Sequence, residues 1–178
     1  MRIETATIRR LRDALMKSGE RASAVESPAY ETLARAGVLT DDEQAAVARV
    51  APLAETMFLM MTADGKITDA ERTAILGAIR GLTDGLLHDG TVKVLLEGFA
   101  RFLSTDGRET RLRVIADQLA SRPSEAENAL ALAAAVALAD DEVADEERKL
   151  VAQLAEWFGI KPERARIILA QVEEDKAH

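Results

Sequence analysis

Two short acidic stretches of this chain, residues 63–72 and 139–148, carry the same pattern of side chains that could bind a cation. They align without gaps, five of the ten positions are identical, and Ile67 is conservatively exchanged for Val143. In each stretch one aspartate lies seven residues before a glutamate and a second aspartate lies two residues before it. The six carboxylates are Asp64, Asp69, Glu71, Asp140, Asp145 and Glu147. Carboxylates that are held close together repel one another unless protons or a cation neutralise them.

Oxygen ligands alone favour a hard cation, so these carboxylates predict a site for calcium, magnesium or manganese. Neither stretch matches an EF-hand loop by itself. If Glu71 takes the last loop position, Asp64 falls on the fifth, as in that motif. Met60 and Thr62 then stand at the first and third positions, where acidic ligands belong. A cation site must therefore take its ligands from both stretches or bind weakly.

Helix capping is a second interpretation of the same residues. Thr68 and Glu71 have the spacing of a capping box, and acidic residues favour the first turn of a helix. The second stretch has Ala144 at the position of Thr68, and alanine has no side-chain oxygen to cap with. Arg72 and Arg148 follow the two glutamates. If these arginines neutralise the acids, the better interpretation is a metal-independent interaction module that docks a basic partner.

Helices must position both stretches, because apolar residues recur at helical spacing and nowhere alternate with a period of two. A long helix from Thr40 to about Ala63 leads into the first stretch. An alanine-rich helix from Ser124 to Ala139 leads into the second, and an amphipathic helix leaves each stretch. Capping-box spacing marks Thr40, Thr68 and Ser124 as helix starts. Within the first of these helices, three methionines (Met57, Met60 and Met61) could form an adaptable contact surface or pack in the core.

The repeat extends beyond the acidic residues and covers residues 52–83 and 128–160. A duplication of this kind predicts two related helical hairpins that bury their apolar faces against each other. The predicted fold is an all-α bundle of about seven to nine helices. Residues 1–39 form an N-terminal helical extension, with a first helix and a short one begun by Ser27 and Pro28, and residues 40–178 form the domain that holds the repeat.

Composition narrows the function classes. The chain is 48% hydrophobic but only 3% aromatic, which is typical of a helical bundle. Its formal net charge of −8 opposes binding to nucleic acid and is compatible with binding cations. The absence of cysteine excludes disulfides, thiolate metal sites and cysteine nucleophiles. The longest apolar run, residues 129–139, is shorter than the roughly 20 residues that span a bilayer, so we expect no direct membrane insertion and a cytoplasmic protein.

Enzymatic chemistry has little support in the sequence. The histidines are His88, in a turn-rich segment, and the terminal His178. A ferritin-like di-iron site would need paired Glu-x-x-His motifs, and none is present. The chain has no phosphate-binding loop and no recognisable Ser/His/Asp arrangement. We therefore expect neither an enzyme nor an organic cofactor.

The doubled acidic motif resembles the TerB family of tellurite resistance proteins. The resemblance rests on residues 61–67 through Glu71, on residues 138–143 through Glu147, and on the tail at residues 154–160, and it covers roughly Thr40 to Val172. The second stretch departs from the first by having Asp141 where Gly65 stands. A TerB-like domain also begins certain J-domain co-chaperones, but no His-Pro-Asp triplet is present here.

The resemblance implies an all-helical fold of two related halves with an acidic cluster that binds a divalent cation. It implies Asp64, Glu71, Asp140 and Glu147 as ligands, with Asp69 and Asp145 as secondary candidates. It further implies a non-enzymatic stress-response protein, associated with tellurite resistance, that acts through protein partners. Whether the chain forms a homodimer stays open at this level.

Overall fold

The computed structural model describes residues 3, 5–17, 39–63, 65, 67–139 and 145–177, and within them it contains eight helices and no strand. In chain order the helices are α1 (Thr5–Lys17), α2 (Asp41–Met61), α3 (Asp69–Leu82), α4 (Asp89–Asp106), α5 (Arg108–Leu119), α6 (Pro123–Ala137), α7 (Asp145–Trp157) and α8 (Pro162–Ala177). The all-α fold class is confirmed. The short helix predicted after Ser27 and Pro28 lies outside the described residues.

Helix starts follow the capping signals at two of the three predicted positions. Thr40 caps α2, where the Glu43 N–H donates to the Thr40 hydroxyl at 3.2 Å and the Glu43 carboxylate accepts from the Thr40 N–H at 2.8 Å. Thr68 caps α3 in the same way. The prediction of a capping box at Ser124 is wrong. Pro123 takes the first helical position, which its fixed φ suits, and the helix therefore starts one residue before the expected cap.

The core is organised around α2 and α6, the two helices that lead into the acidic stretches. They make the most extensive helix–helix contact among the described residues. Met57, Met60 and Met61 are 0%, 1% and 3% exposed. The methionines therefore pack in the core, and the alternative that they form a contact surface is wrong.

Helix α1 packs against α3, α6 and α8. Its Leu11 is buried, and its Arg10 and Thr7 both donate hydrogen bonds to Asp175 of α8 at 2.8 Å. Burial alone would raise the pKa of Asp175, but the bonds from Arg10 and Thr7 outweigh it and hold that pKa below its ordinary value. The helix of the N-terminal extension is thus part of the same packed body as the repeat.

Helix α5 is fixed to α2 by a buried ion pair. The Arg111 guanidinium donates to both carboxylate oxygens of Glu55, at 2.7 and 3.0 Å, and the two side chains are 9% and 5% exposed. The same guanidinium lies 4.6 Å from the centre of the Phe102 ring and 3.5 Å from Asp106. Desolvation raises the pKa of Glu55 above its ordinary value, although Arg111 works against that rise. The pair sets the register of α5 along α2.

Candidate metal centre

The residues that flank the two acidic stretches lie at one end of the bundle. Helix α5 runs antiparallel to α2, because Arg108 at its start bonds the carbonyls of Leu59 and Thr62, and Arg111, one turn later, bonds Glu55. Helix α6 then runs back beside α5 and so parallel to α2, and α8 lies along α6 from the Arg164–Glu127 ion pair at its start to its C-terminal end. That end of α8 in turn shares a cavity with both flanks of the second stretch, through Leu138 and Arg148.

It follows that α2 and α6 both point their C-terminal ends toward this end of the bundle. Because these helices pack directly on each other, their axes should lie about 8–10 Å apart. A pair of hairpins related by a twofold axis along the helices would have this arrangement. We refer to this end of the bundle, where α2 and α6 end and α3 and α7 begin, as the acidic end.

The first stretch is held by its capping box. The Glu71 Oε2 accepts from the Thr68 N–H at 2.7 Å and from the Thr68 hydroxyl at 2.9 Å, while the Glu71 N–H donates to the Thr68 hydroxyl at 3.2 Å. Gly65 has a φ of +114°, a backbone conformation that side chains with a Cβ rarely adopt. Asp69 is exposed in the first turn of α3. Capping therefore accounts for one carboxylate oxygen of Glu71, and the exposed Asp69 carboxylate faces solvent.

A guanidinium group also lies against the entrance to the first stretch. Arg108 donates to the carbonyl of Leu59 at 3.1 Å and to the carbonyl of Thr62, which closes α2. The last carbonyls of a helix lack partners in the helix itself and carry partial negative charge, so a cation is stabilised there. Arg108 was missed by sequence reasoning. One feature of the sequence could have indicated its role: Arg108 stands in the first turn of a helix, where the helix dipole disfavours positive charge.

The second stretch is described only at its edges. The N–H groups of Leu138 and Ala139 donate to Ala134 and Val136 at 2.9 and 3.1 Å, which closes α6. Asp145 is exposed at the start of α7. Asp140 and the side chain of Glu147, like Asp64 in the first stretch, lie outside what the structure describes.

Three of the six predicted ligands, Asp69, Glu71 and Asp145, therefore have described side chains. Among the side chains that the structure describes, no three of His, Asp or Glu come close enough together to hold a metal ion. The cation site stays a prediction. All-oxygen donors at one end of the bundle have the chemistry that a hard cation prefers.

The arginines that follow each glutamate do not neutralise the acids in the described part of the chain. Neither Arg72 nor Arg148 forms an ion pair there, and both are exposed. His88, as expected for a turn residue, has an 82% exposed side chain, and it precedes α4 without a side-chain capping bond.

Among the described residues, no helix has both the length and the apolar character needed to cross a bilayer. Comparison with curated proteins gives no match, and comparison with solved structures gives none either. The family model described as tellurite resistance protein TerB matches residues 52–170, well over half of the chain. This range runs from the middle of α2 to the middle of α8 and takes in both acidic stretches. The chain therefore belongs to the TerB family of tellurite resistance proteins.

Proposed function

We propose that this protein is a non-enzymatic, cytoplasmic stress-response protein of the tellurite resistance type that binds a divalent cation at the acidic end and acts through protein partners. The observation that carries the proposal is that α2 and α6, the helices that lead into the two acidic stretches, pack on each other and end at the same end of the bundle. The TerB family is one of non-catalytic helical domains, which supports the absence of catalysis. The ligands would be Asp64, Glu71, Asp140 and Glu147, with Asp69 and Asp145 near them.

The repeat itself supports cation binding over capping. At the first stretch, Glu71 is accounted for by its bonds to Thr68. At the second stretch the matching residue is Ala144, which lacks the hydroxyl that bonds both the carboxylate and the N–H of Glu71, yet Glu147 is still present. A glutamate that persists where the hydroxyl cap is missing has only the helix dipole as a local reason, and a shared cation supplies a further one.

The chain contains a matched control for testing this proposal. Glu43 and Glu71 are both the glutamate of a capping box with a threonine cap, but only Glu71 lies at the acidic end. Glutamine also serves in a capping box, so E43Q and E71Q should each keep the helix start and lose one negative charge. We expect calcium or manganese at millimolar concentration to raise the Tm of the chelator-treated wild type and of E43Q. The rise should be much smaller in E71Q and absent in a variant that also carries E147Q.

The measurement is thermal unfolding followed by circular dichroism, with isothermal titration of the same samples by calcium, magnesium and manganese chloride. An unchanged Tm of the wild type in all three salts would reject the cation site. Equal responses of E43Q and E71Q would reject its placement at the acidic end.

A metal-independent interaction module is the second candidate, and Arg108 favours it. Its guanidinium supplies a fixed positive charge beside the first stretch, so part of the acidic charge is balanced within the chain. The exposed Asp69 and Asp145 would then dock a basic partner surface directly. In that case, the binding of a basic partner should persist in chelator and should weaken in D69N/D145N. Cation-dependent binding of the partner would instead support the first proposal.

A further inference from the structure

Helices α7 and α8 form a hairpin whose two arms stand apart. Both arms pack on α6, but they hardly touch each other. A groove of about 640 Å³ runs between them from the turn at Gly159, and it continues into a smaller cavity of about 180 Å³ near Leu138. Val151, Ala152 and Leu169 line both spaces, so the two adjoin, and we refer to them together as the channel.

The channel is apolar along its length and charged at its ends. Leu130 and Ala134 of α6 form its floor, and Ala155 and Ala165 contribute small side chains to its walls. Lys161 and Arg166 lie at the hairpin end together with Glu156, and Arg148 and Glu173 lie at the other end. None of these five charged side chains forms an ion pair or hydrogen bond with the described residues. The hairpin end is thus locally positive on a chain whose net charge is −8.

The dimensions of the channel fit a linear hydrocarbon chain. Each wall spans about 16 Å, because helical residues rise about 1.5 Å each between positions 148 and 159 and between 162 and 173. One leaflet of a bilayer is one acyl chain deep, which is about half of the roughly 30 Å hydrocarbon core. An extended acyl chain is therefore about as long as the channel walls. The total volume also lies within the range of about 300–1,000 Å³ that is usual for small-molecule sites.

A partner helix fits less well. Helices are about 10–12 Å wide with their side chains and dock on broad exposed apolar surfaces. Here Val151 and Ala155 are only 5% and 8% exposed, so the channel is a narrow slit between two arms. The middle of the channel also lacks the polar groups that would orient a nucleotide or a sugar.

We propose that this channel binds a free long-chain fatty acid, with the carboxylate at Lys161 and Arg166 and the hydrocarbon chain running between α7 and α8 toward Leu138. The two basic side chains match the charge of the carboxylate, and the aliphatic walls match the chain. The proposal is independent of the cation site, since it uses none of the six predicted ligands.

The test uses the full-length, delipidated protein and sodium dodecanoate below its micellar concentration, followed by isothermal titration and thermal unfolding. Dodecanoate should bind with one-to-one stoichiometry and raise the Tm. Dodecanol, with the same chain and no charge, should bind about tenfold more weakly because two exposed ion pairs are lost. Hexanoate, which cannot fill the channel, should bind more weakly still.

Two variants and a control locate the site. Ala152 is exposed on α7 and lines the channel, so A152L should fill it without disturbing the core and should abolish binding. K161Q/R166Q should weaken dodecanoate about tenfold and leave dodecanol unchanged. R101Q, on the exposed face of α4, should bind as the wild type does.

Three results would overturn the proposal. The first is the absence of dodecanoate binding. The second is evidence of non-specific apolar association. This would be either equal binding of dodecanoate and a dodecyl ammonium salt or unchanged binding of dodecanoate in A152L. The third is a ligand-free dimer that A152L dissociates, because a second copy of the chain would then be the occupant.

Discussion

The two acidic stretches have similar sequences, but the contacts that hold their ends in place differ. The first is held at both edges, where Arg108 bonds the carbonyls that end α2 and the Thr68 capping box starts α3. The second follows α6, which is apolar and alanine-rich from residue 129 to its end at Ala137, and no described arginine bonds the carbonyls that end it. Its outgoing helix α7 begins after Ala144, which has no hydroxyl group.

The acidic residues of a stretch can be explained by contacts within that stretch or by a ligand shared between the two stretches. The difference between the stretches distinguishes these two explanations. At the first stretch, the Thr68 capping box and the nearby Arg108 guanidinium already stabilise the acidic residues, so their presence needs no ligand. At the second stretch these local reasons are weaker. Substitutions that remove the support of the first stretch, or add support to the second, therefore test whether the two are equivalent.

The largest effect should come from the ion pair that fixes α5 to α2. R111L leaves the Glu55 carboxylate buried without a partner, and we expect the free energy of unfolding to fall by about 3–5 kcal/mol. Urea denaturation at neutral pH measures this loss. The double variant E55M/R111M, which removes both charges and keeps the volume, should lose far less. R101L is the control, because Arg101 is exposed on α4 and its side chain forms no ion pair with the described residues.

The loss in R111L should depend on pH. Desolvation already raises the pKa of Glu55, and removal of Arg111 should raise it further. An acid whose pKa is raised on folding favours the folded state when it is protonated, and that contribution is lost as pH rises through the raised pKa. R111L should therefore be closer to wild type at pH 5 than at pH 8. A loss that is the same at both pH values would contradict the assignment of the penalty to the Glu55 charge.

Arg108 offers the next largest effect and acts on one stretch alone. R108Q removes a charged donor from the carbonyls of Leu59 and Thr62, at a cost of about 1–2 kcal/mol for a half-buried group. Hydrogen exchange followed by mass spectrometry should show faster exchange in a peptide that covers residues 62–68. A peptide covering residues 136–139 should be unchanged. Equal acceleration in both would mean that the two stretches are coupled through the α2–α6 contact.

The contrast between these arginines and the capping boxes shows which parts of the fold were predictable. Thr40 and Thr68 act on residues three positions away, so spacing in the sequence was enough to predict both caps. Arg108 and Arg111 act on residues 46 to 56 positions away, and their roles depend on the register of α5 along α2. Nothing in the periodicity of α5 determines that register.

Ser124 shows a second limit, in which two local signals compete. Its spacing to Glu127 predicts a cap. The preceding Pro123 suits the first helical position, however, so α6 starts at Pro123, one residue before Ser124. Glu125 then forms a part-buried pair with Arg122 at 2.7 Å. The six predicted cation ligands are a third case. Their arrangement depends on how two loops that are distant in the chain fold together. The sequence shows the spacing of the carboxylates along the chain but not the distance between the two loops in space.

The smallest effects come from exchanging the caps of the two stretches. T68A removes the hydroxyl that bonds the Glu71 N–H and should cost about 1 kcal/mol. A144T adds a hydroxyl at the matching position before α7, with Glu147 three residues on, and should add up to about 1 kcal/mol. S124A is the control, since Ser124 is not a cap and its removal should change stability by less than about 0.5 kcal/mol. Urea denaturation of the three variants ranks them. A destabilising A144T would mean that the backbone before α7 does not have capping geometry. The two stretches would then differ in conformation as well as in side chains. In that case the acidic residues of the second stretch would need a reason unrelated to helix initiation.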